Sequence, residues 1–290
     1  MRPIVYSRCL LVFLAICVAA CDRANPRIST TRALPANQRR IASLVPAATD
    51  MLIGMGARAQ LVAVSNYDTA PELKDLPRVG DYQMTDWEML ARLRPEVMII
   101  QIAPERLPPA LARKAGELGI QLENVTIHRL GDVLETMRRL GAIAGRETEA
   151  RAAIATLQTR LDDVRKAALN RPPLRVMICR EADGREVIGP DNFLDDLLPY
   201  LNATNACEKL GSAYPSIDRE TIVKLAPEAV IVLLPEASAE TIARAKRFWD
   251  SLPESPAVRN QKVFIITDRH ALVPGSHLGD LAATMAEKLR

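Results

Sequence analysis

The chain has 290 residues, and hydrophobic side chains make up 48% of it, enough for more than one sizeable core. Lys and Arg number 38 against 35 Asp and Glu, and no basic run interleaves with aromatic residues, which argues against a nucleic-acid partner. Enzyme signatures are missing as well. There is no Gly-x-Gly-x-x-Gly, P-loop, His-Glu-x-x-His or nucleophile elbow, and Ser43, Ser65 and Ser276 have no evident paired base.

Residues 1–20 carry Arg2 and Arg8 ahead of a twelve-residue apolar run from Cys9 to Ala20. A bilayer span needs about 20 residues, so this run reads as the core of a signal peptide. Val18-Ala19-Ala20-Cys21 resembles a bacterial lipobox, which implies cleavage before Cys21 and a diacylglycerol on its thiol. A plain secretory cut after an Ala-x-Ala-like site is the alternative. Asp22 follows directly, which in enterobacterial lipoproteins implies retention at the inner membrane. The expected location is therefore the periplasm or the outer face of the cytoplasmic membrane, lipid-anchored. Removing Arg2 and Arg8 leaves 36 basic against 35 acidic residues, so the mature chain is close to neutral. Residues 21–39 are polar, with Pro26 and Pro35 and no apolar periodicity, and read as a flexible tether.

The first globular portion, residues 40–145, opens with a short strand at Arg40–Val45 and a helix whose first turn holds Pro46, a position where proline is favoured. Gly54 and Gly56 close that helix, and Leu61–Val64 makes the next strand. Residues 85–100 then recur at 217–232 with a constant offset of 132. Asp86, Glu88, Leu93, Pro95, Glu96 and Ile99 match Asp218, Glu220, Leu225, Pro227, Glu228 and Ile231. Each copy is an acidic helix start, a helix, a proline break and a short apolar strand inside a sheet. Between the copies, residues 146–169 lack Gly and Pro. They carry a single stripe at Ala150, Ile154, Leu157, Leu161, Val164 and Ala168. At about 1.5 Å per residue this helix spans roughly 36 Å. Asn170-Arg171-Pro172-Pro173 stops it, and residues 170–290 form the second portion. The expected architecture is thus α/β: two Rossmann-like lobes with central sheets flanked by helices, joined by one long rigid helix. Trp87 and Trp249 read as core residues. Cys179 and Cys207 either pair within the second lobe or remain buried thiols.

The opening Arg40–Asp50 stretch, Leu61–Asp68, Pro77–Tyr82, Leu93–Ile100, Pro190–Leu197 and the second repeat copy together resemble the periplasmic binding proteins for vitamin B12 and iron chelates. The resemblance covers residues 40–290 and implies the class III fold, two lobes on one backbone helix. It implies a non-enzymatic importer receptor with no cofactor of its own, which holds a cobalamin or an iron chelate between its lobes. It further implies partnership with a permease and its ATPase, as a monomer. The sequence leans toward a corrinoid, with ferric siderophore or haem as the other cargoes. A ligand-sensing or accessory lipoprotein of the same fold is the alternative function.

Loops that follow strand ends should face the cleft. Ser65, Tyr67, Asp81 and Tyr82 are the candidates in the first lobe, and Tyr214, at offset 132 from Tyr82, in the second. A flat chelate suits tyrosine rings, which offer apolar area and an orienting hydroxyl. The family also places pocket residues after the last strand, which nominates Asp268, Arg269 and His270; the arginine some members carry further on is absent. No third ligand in the sequence joins His270 and His277, so no metal site is expected. His128 reads as structural. The resemblance implies one permease-docking glutamate per lobe, and Glu105 and Glu236, each just past a duplicated strand, fill those places.

Overall fold

The computed structural model describes residues 38–81 and 83–290. The expected signal segment, the expected lipidation site Cys21, most of the expected tether and the candidate Tyr82 lie outside the described residues. The first lobe contains β1 (Ile41–Ser43), α1 (Pro46–Gly54), β2 (Leu61–Val64), α2 (Trp87–Leu93), β3 (Val97–Ile100), α3 (Pro109–Glu117), β4 (Gln121–Asn124) and α4 (Leu130–Ala144). Then comes α5 (Glu147–Ala168). The second lobe has β5 (Leu174–Cys179), β6 (Ala203–Asn205), α6 (Arg219–Leu225), β7 (Ala229–Leu233), α7 (Ala239–Asp250), α8 (Pro256–Arg259), β8 (Val263–Ile266) and α9 (Leu278–Lys288). Each lobe holds one four-stranded parallel sheet, ordered β2-β1-β3-β4 and β6-β5-β7-β8, the same permutation twice.

The duplication extends to individual atoms. Asp86 caps α2 by accepting the Met89 N–H at 2.9 Å, and Asp218 caps α6 by accepting the Thr221 N–H at 2.8 Å. Both helices end in a left-handed residue, Arg94 at φ 48° and Ala226 at φ 44°, directly before Pro95 and Pro227, which disfavour continued right-handed helix. Glu96 then accepts the Arg40 N–H at 2.9 Å and Glu228 the Arg175 N–H at 2.8 Å. The same two arginines reach back with their guanidinium groups, Arg40 to the Leu93 carbonyl and Arg175 to the Leu225 carbonyl. Terminal helix carbonyls with no partner inside the helix are satisfied this way.

The pleat sorts the strand residues into two layers. Ile41, Val97 and Ile99 of the first sheet, and Val176, Ile178, Ala229 and Ile231 of the second, belong to a single apolar cluster that also includes Ala150, Ile154, Leu157, Leu161 and Val164 of α5. Ala42, Met98 and Ile100 face a separate cluster under α2 and α3. Met177, Cys179 and Val230 face another under α6 and α7, which buries Trp249 and Cys207. Cys179 and Cys207 are free thiols, and burial pushes Cys207 up to about 12. Trp87 is half-buried against the outer core of the first lobe.

All six predicted stripe residues of α5 are buried. The helix packs on α4 of the first lobe and on α9 and the Asp195–Leu201 turn of the second. The lobes also meet through charge. Arg129, just before α4, forks onto Asp196 from Nε at 2.9 Å and onto Asp191 at 2.6 Å. Asp196 in turn accepts the Leu130 N–H at 2.8 Å. His128 is exposed and contributes through its backbone N–H, which donates to Asp132. At the other end of the first lobe, Arg39 already binds Gln121 at 2.9 Å.

Candidate functional site

Parallel strands put all their carboxyl ends on one edge, and the loops leaving that edge carry the candidate residues. In the first lobe these loops begin at Leu44 after β1, Ser65 after β2 and Gln101 after β3; in the second they begin at Arg180 after β5, Leu234 after β7 and Thr267 after β8. A pocket opens between the lobes where Pro46, Asp50 and Tyr67 meet Glu236, Arg269 and His270. A second recess, on the first lobe alone, shares Pro46 and Tyr67 and adds Asp81, Gln83 and Gln101.

The predicted residues divide accordingly. Tyr67, Arg269, His270 and Glu236 are brought to the interlobe pocket, and Asp81 joins Tyr67 in the adjoining recess. Asp81 also holds its own loop, with Oδ1 accepting the Gln83 and Met84 N–H groups at 2.7 and 2.9 Å. Ser65 is fully buried beneath this surface, where its hydroxyl accepts the Tyr67 N–H at 3.2 Å. Tyr214 is 45% exposed on the loop that follows β6, with the Arg180 guanidinium 4.7 Å from its ring. Asp268 is exposed and accepts the His270 N–H at 2.8 Å. Arg269 faces Glu72 of the other lobe at 3.8 Å. Glu105 is exposed in the turn after β3. Glu236 is exposed at φ 52°, its N–H donating to the Thr267 carbonyl at 3.0 Å.

Sequence reasoning missed the residue at the centre, Asp50 on α1. One of its carboxylate oxygens accepts from the Ser276 hydroxyl at 3.1 Å and amide at 3.3 Å, a contact 226 residues apart in sequence. The other oxygen lies 3.8 Å from His270 Nε2 and 3.5 Å from His277 Nε2. Gly275 permits this approach, because a Cβ there would stand 2.3 Å from the Asp50 carboxylate. Below Asp50, the Thr49 hydroxyl lies 2.9 Å from Ser43 Oγ and 3.2 Å from Asp68, which also accepts the Ser65 N–H at 3.0 Å. Burial pushes the Asp68 carboxyl up to about 6, against the lowering effect of those two hydrogen bonds. Only the run Ser65-Asn66-Tyr67-Asp68 hinted at this buried network.

Two parallel α/β lobes on one helix, with open pockets at their facing carboxyl edges, define a two-lobed solute-binding protein. The chain belongs to the periplasmic binding protein family, whose profile matches residues 41–270. It is accordingly a binding protein and not an enzyme. Among curated relatives, a vitamin B12-binding protein of Pectobacterium atrosepticum is 24% identical over 256 residues, covering 86% of this chain and 85% of the relative. Among solved structures, the periplasmic vitamin B12-binding protein BtuF of Vibrio cholerae superposes with a TM-score of 0.71 at 22% identity, covering 87% of this chain and 96% of that one. A periplasmic haem-binding protein from Pseudomonas aeruginosa also gives 0.71 at 24% identity, covering 86% and 91%. Those structures share the fold described above.

Proposed function

We propose that the chain captures a metal chelate, a corrinoid in the first place, between its lobes and hands it to the permease of an ATP-driven importer. In this reading Cys21 carries the lipid, residues 21–39 are the tether, and the lobes work at the outer face of the cytoplasmic membrane. Glu105 and Glu236 are the carboxylates that meet basic groups of the permease, Glu236 from the rim of the interlobe pocket. The observation that carries the reading is where apolar surface is left bare. Among the described residues five large hydrophobic side chains are exposed, and Tyr67 (68%), Met84 (81%) and Tyr214 (45%) all stand on loops leaving the carboxyl edges of the sheets. Exposed apolar groups on the loops at these edges support a ligand surface there. The Tyr67 ring, with Asp81 and Gln101 lining the same recess, suits a broad planar ligand that also carries amides.

Calorimetric titration of the form beginning at Asp22 with cyanocobalamin, cobinamide, haemin and ferric siderophores tests this. One-to-one corrinoid binding, weakened at least about tenfold in Tyr67→Ala and Tyr214→Ala, is expected. Haemin or siderophore binding alone would move the cargo to iron, and no binding across the panel would sink the importer reading.

A further inference from the structure

Asp50, His270 and His277 stand apart from the cargo surface in their chemistry. They are two imidazoles and one carboxylate, drawn from both lobes, with one candidate ligand atom from each all within 4.8 Å of one another. Each group also has a polar neighbour on its outer side. Asp50 gives one oxygen to Ser276 and leaves Oδ1 for the two Nε2 atoms, at 3.8 and 3.5 Å. His270 Nδ1 faces Asp268 at 3.5 Å, and His277 Nδ1 faces Asp280 at 3.9 Å. Metal-bound histidines are commonly oriented by a carboxylate at the ring nitrogen away from the metal, and Asp268 and Asp280 stand on that side of these two rings.

We propose that these three side chains form a site for a first-row divalent transition-metal ion that ties the two lobes together. Two imidazoles and one carboxylate suit zinc, nickel or copper, with a fourth position left to water. With bonds of about 2.0–2.1 Å, the donors must draw closer and one ring must reorient. Glu72, Asp268 and Asp280 nearby, set against Arg269 and Arg160, leave the surroundings favourable to a cation. The rings now lie stacked, with centroids 3.9 Å apart and planes 21° apart. A lone pair lies in its ring plane, so two stacked rings do not both address one ion. Binding therefore turns His277, the more exposed ring at 44%, out of the stack. Because α1 supplies Asp50 and the loop from β8 to α9 supplies both histidines, the ion holds the lobes at a fixed spacing whatever the cargo.

The test uses the full chain in mild detergent, without a polyhistidine tag and stripped by chelator. Zinc titration should show one site. Cobalt should give the visible bands of a low-coordinate N/O complex. Zinc should also raise Tm. In His277→Ala and His270→Ala, zinc affinity should fall by more than the about 10–100-fold that outer-shell partners are worth, and the Tm rise should vanish. His277→Ala changes a half-exposed side chain and keeps the fold testable should Asp50→Asn fail to fold. Asp280→Asn should weaken binding about tenfold. His128→Ala should bind as the wild type does. Absence of zinc binding, or zinc binding unchanged in His277→Ala, would overturn the site.

Discussion

Asp68 lies beneath the interlobe pocket, 5% exposed, with the Ser65 N–H and the Thr49 hydroxyl on one carboxylate oxygen. Two hydrogen bonds do not replace the water it has lost, and its pKa rises from 3.8 to about 6. Between those values the folded protein holds a proton that the unfolded chain has released. Its contribution to stability is therefore greatest below about pH 4, declines as the pH rises through 6, and amounts to on the order of 3 kcal/mol lost once ionisation is complete. Asp68→Asn keeps an oxygen for the Ser65 amide and has no charge to desolvate. Urea melts of both proteins at pH 5 and pH 8 should show the variant gaining on the wild type as the pH rises. A gap that does not depend on pH would show that some other group titrates.

At the scale of elements, the approach of α4 to α5 reverses an ordinary helix rule. Gly141 lies inside α4, where Ala is normally better than Gly by about 1 kcal/mol. Yet a Cβ at Gly141 would stand 2.5 Å from that of Ala150. Gly116 in α3 has nothing within 4 Å of its Cβ position. Gly116→Ala should therefore stabilise by roughly 0.5–1 kcal/mol, while Gly141→Ala destabilises, by about 1–3 kcal/mol. Thermal melts of the pair decide it, and two shifts of the same sign would refute the packing argument. The stripe itself should behave as core of the whole. Leu157, 2% exposed, belongs to the cluster that reaches both sheets, so Leu157→Ala should remove about 2–5 kcal/mol and keep one cooperative transition. Separate melting of the lobes would count against a shared core. That stripe was legible in the sequence because it is periodic and local, and so were the matched caps Asp86 and Asp218, which keep their offset of 132. The arginines that complete the same motif escaped notice, because Arg40 and Arg175 are 135 residues apart. Asp50 was unreadable for a different reason. Its partners, Ser276 and the two histidines, lie in the other lobe, and only folding brings them within 4 Å.

For the whole molecule, the question is how far the lobes can move. They share the apolar cluster through α5, and among the described residues polar contacts cross between them at Arg129 and the Leu130 N–H with Asp196, Arg129 with Asp191, Asp50 with Ser276 and the two histidines, and Arg269 with Glu72. Opening by a wide hinge would expose the stripe of α5 to water, at about 25 cal/mol for each Å² uncovered. A rocking of a few degrees exposes little and can be absorbed by side chains. Small-angle scattering should therefore give the same radius of gyration with and without bound ligand, whereas a marked decrease on binding would mean a clamp that this helix does not allow. Arg129→Ala separates the polar contacts from the core. Asp196 keeps the Leu130 N–H as a donor, and the Arg129 side chain is 45% exposed, so the loss should be only about 1–2 kcal/mol. The melting transition should shift slightly and stay single, while amide exchange rises around 128–133 and 191–196, where the contact was. If exchange rises equally along α5, Arg129 is holding the lobes together, and the continuous core is not.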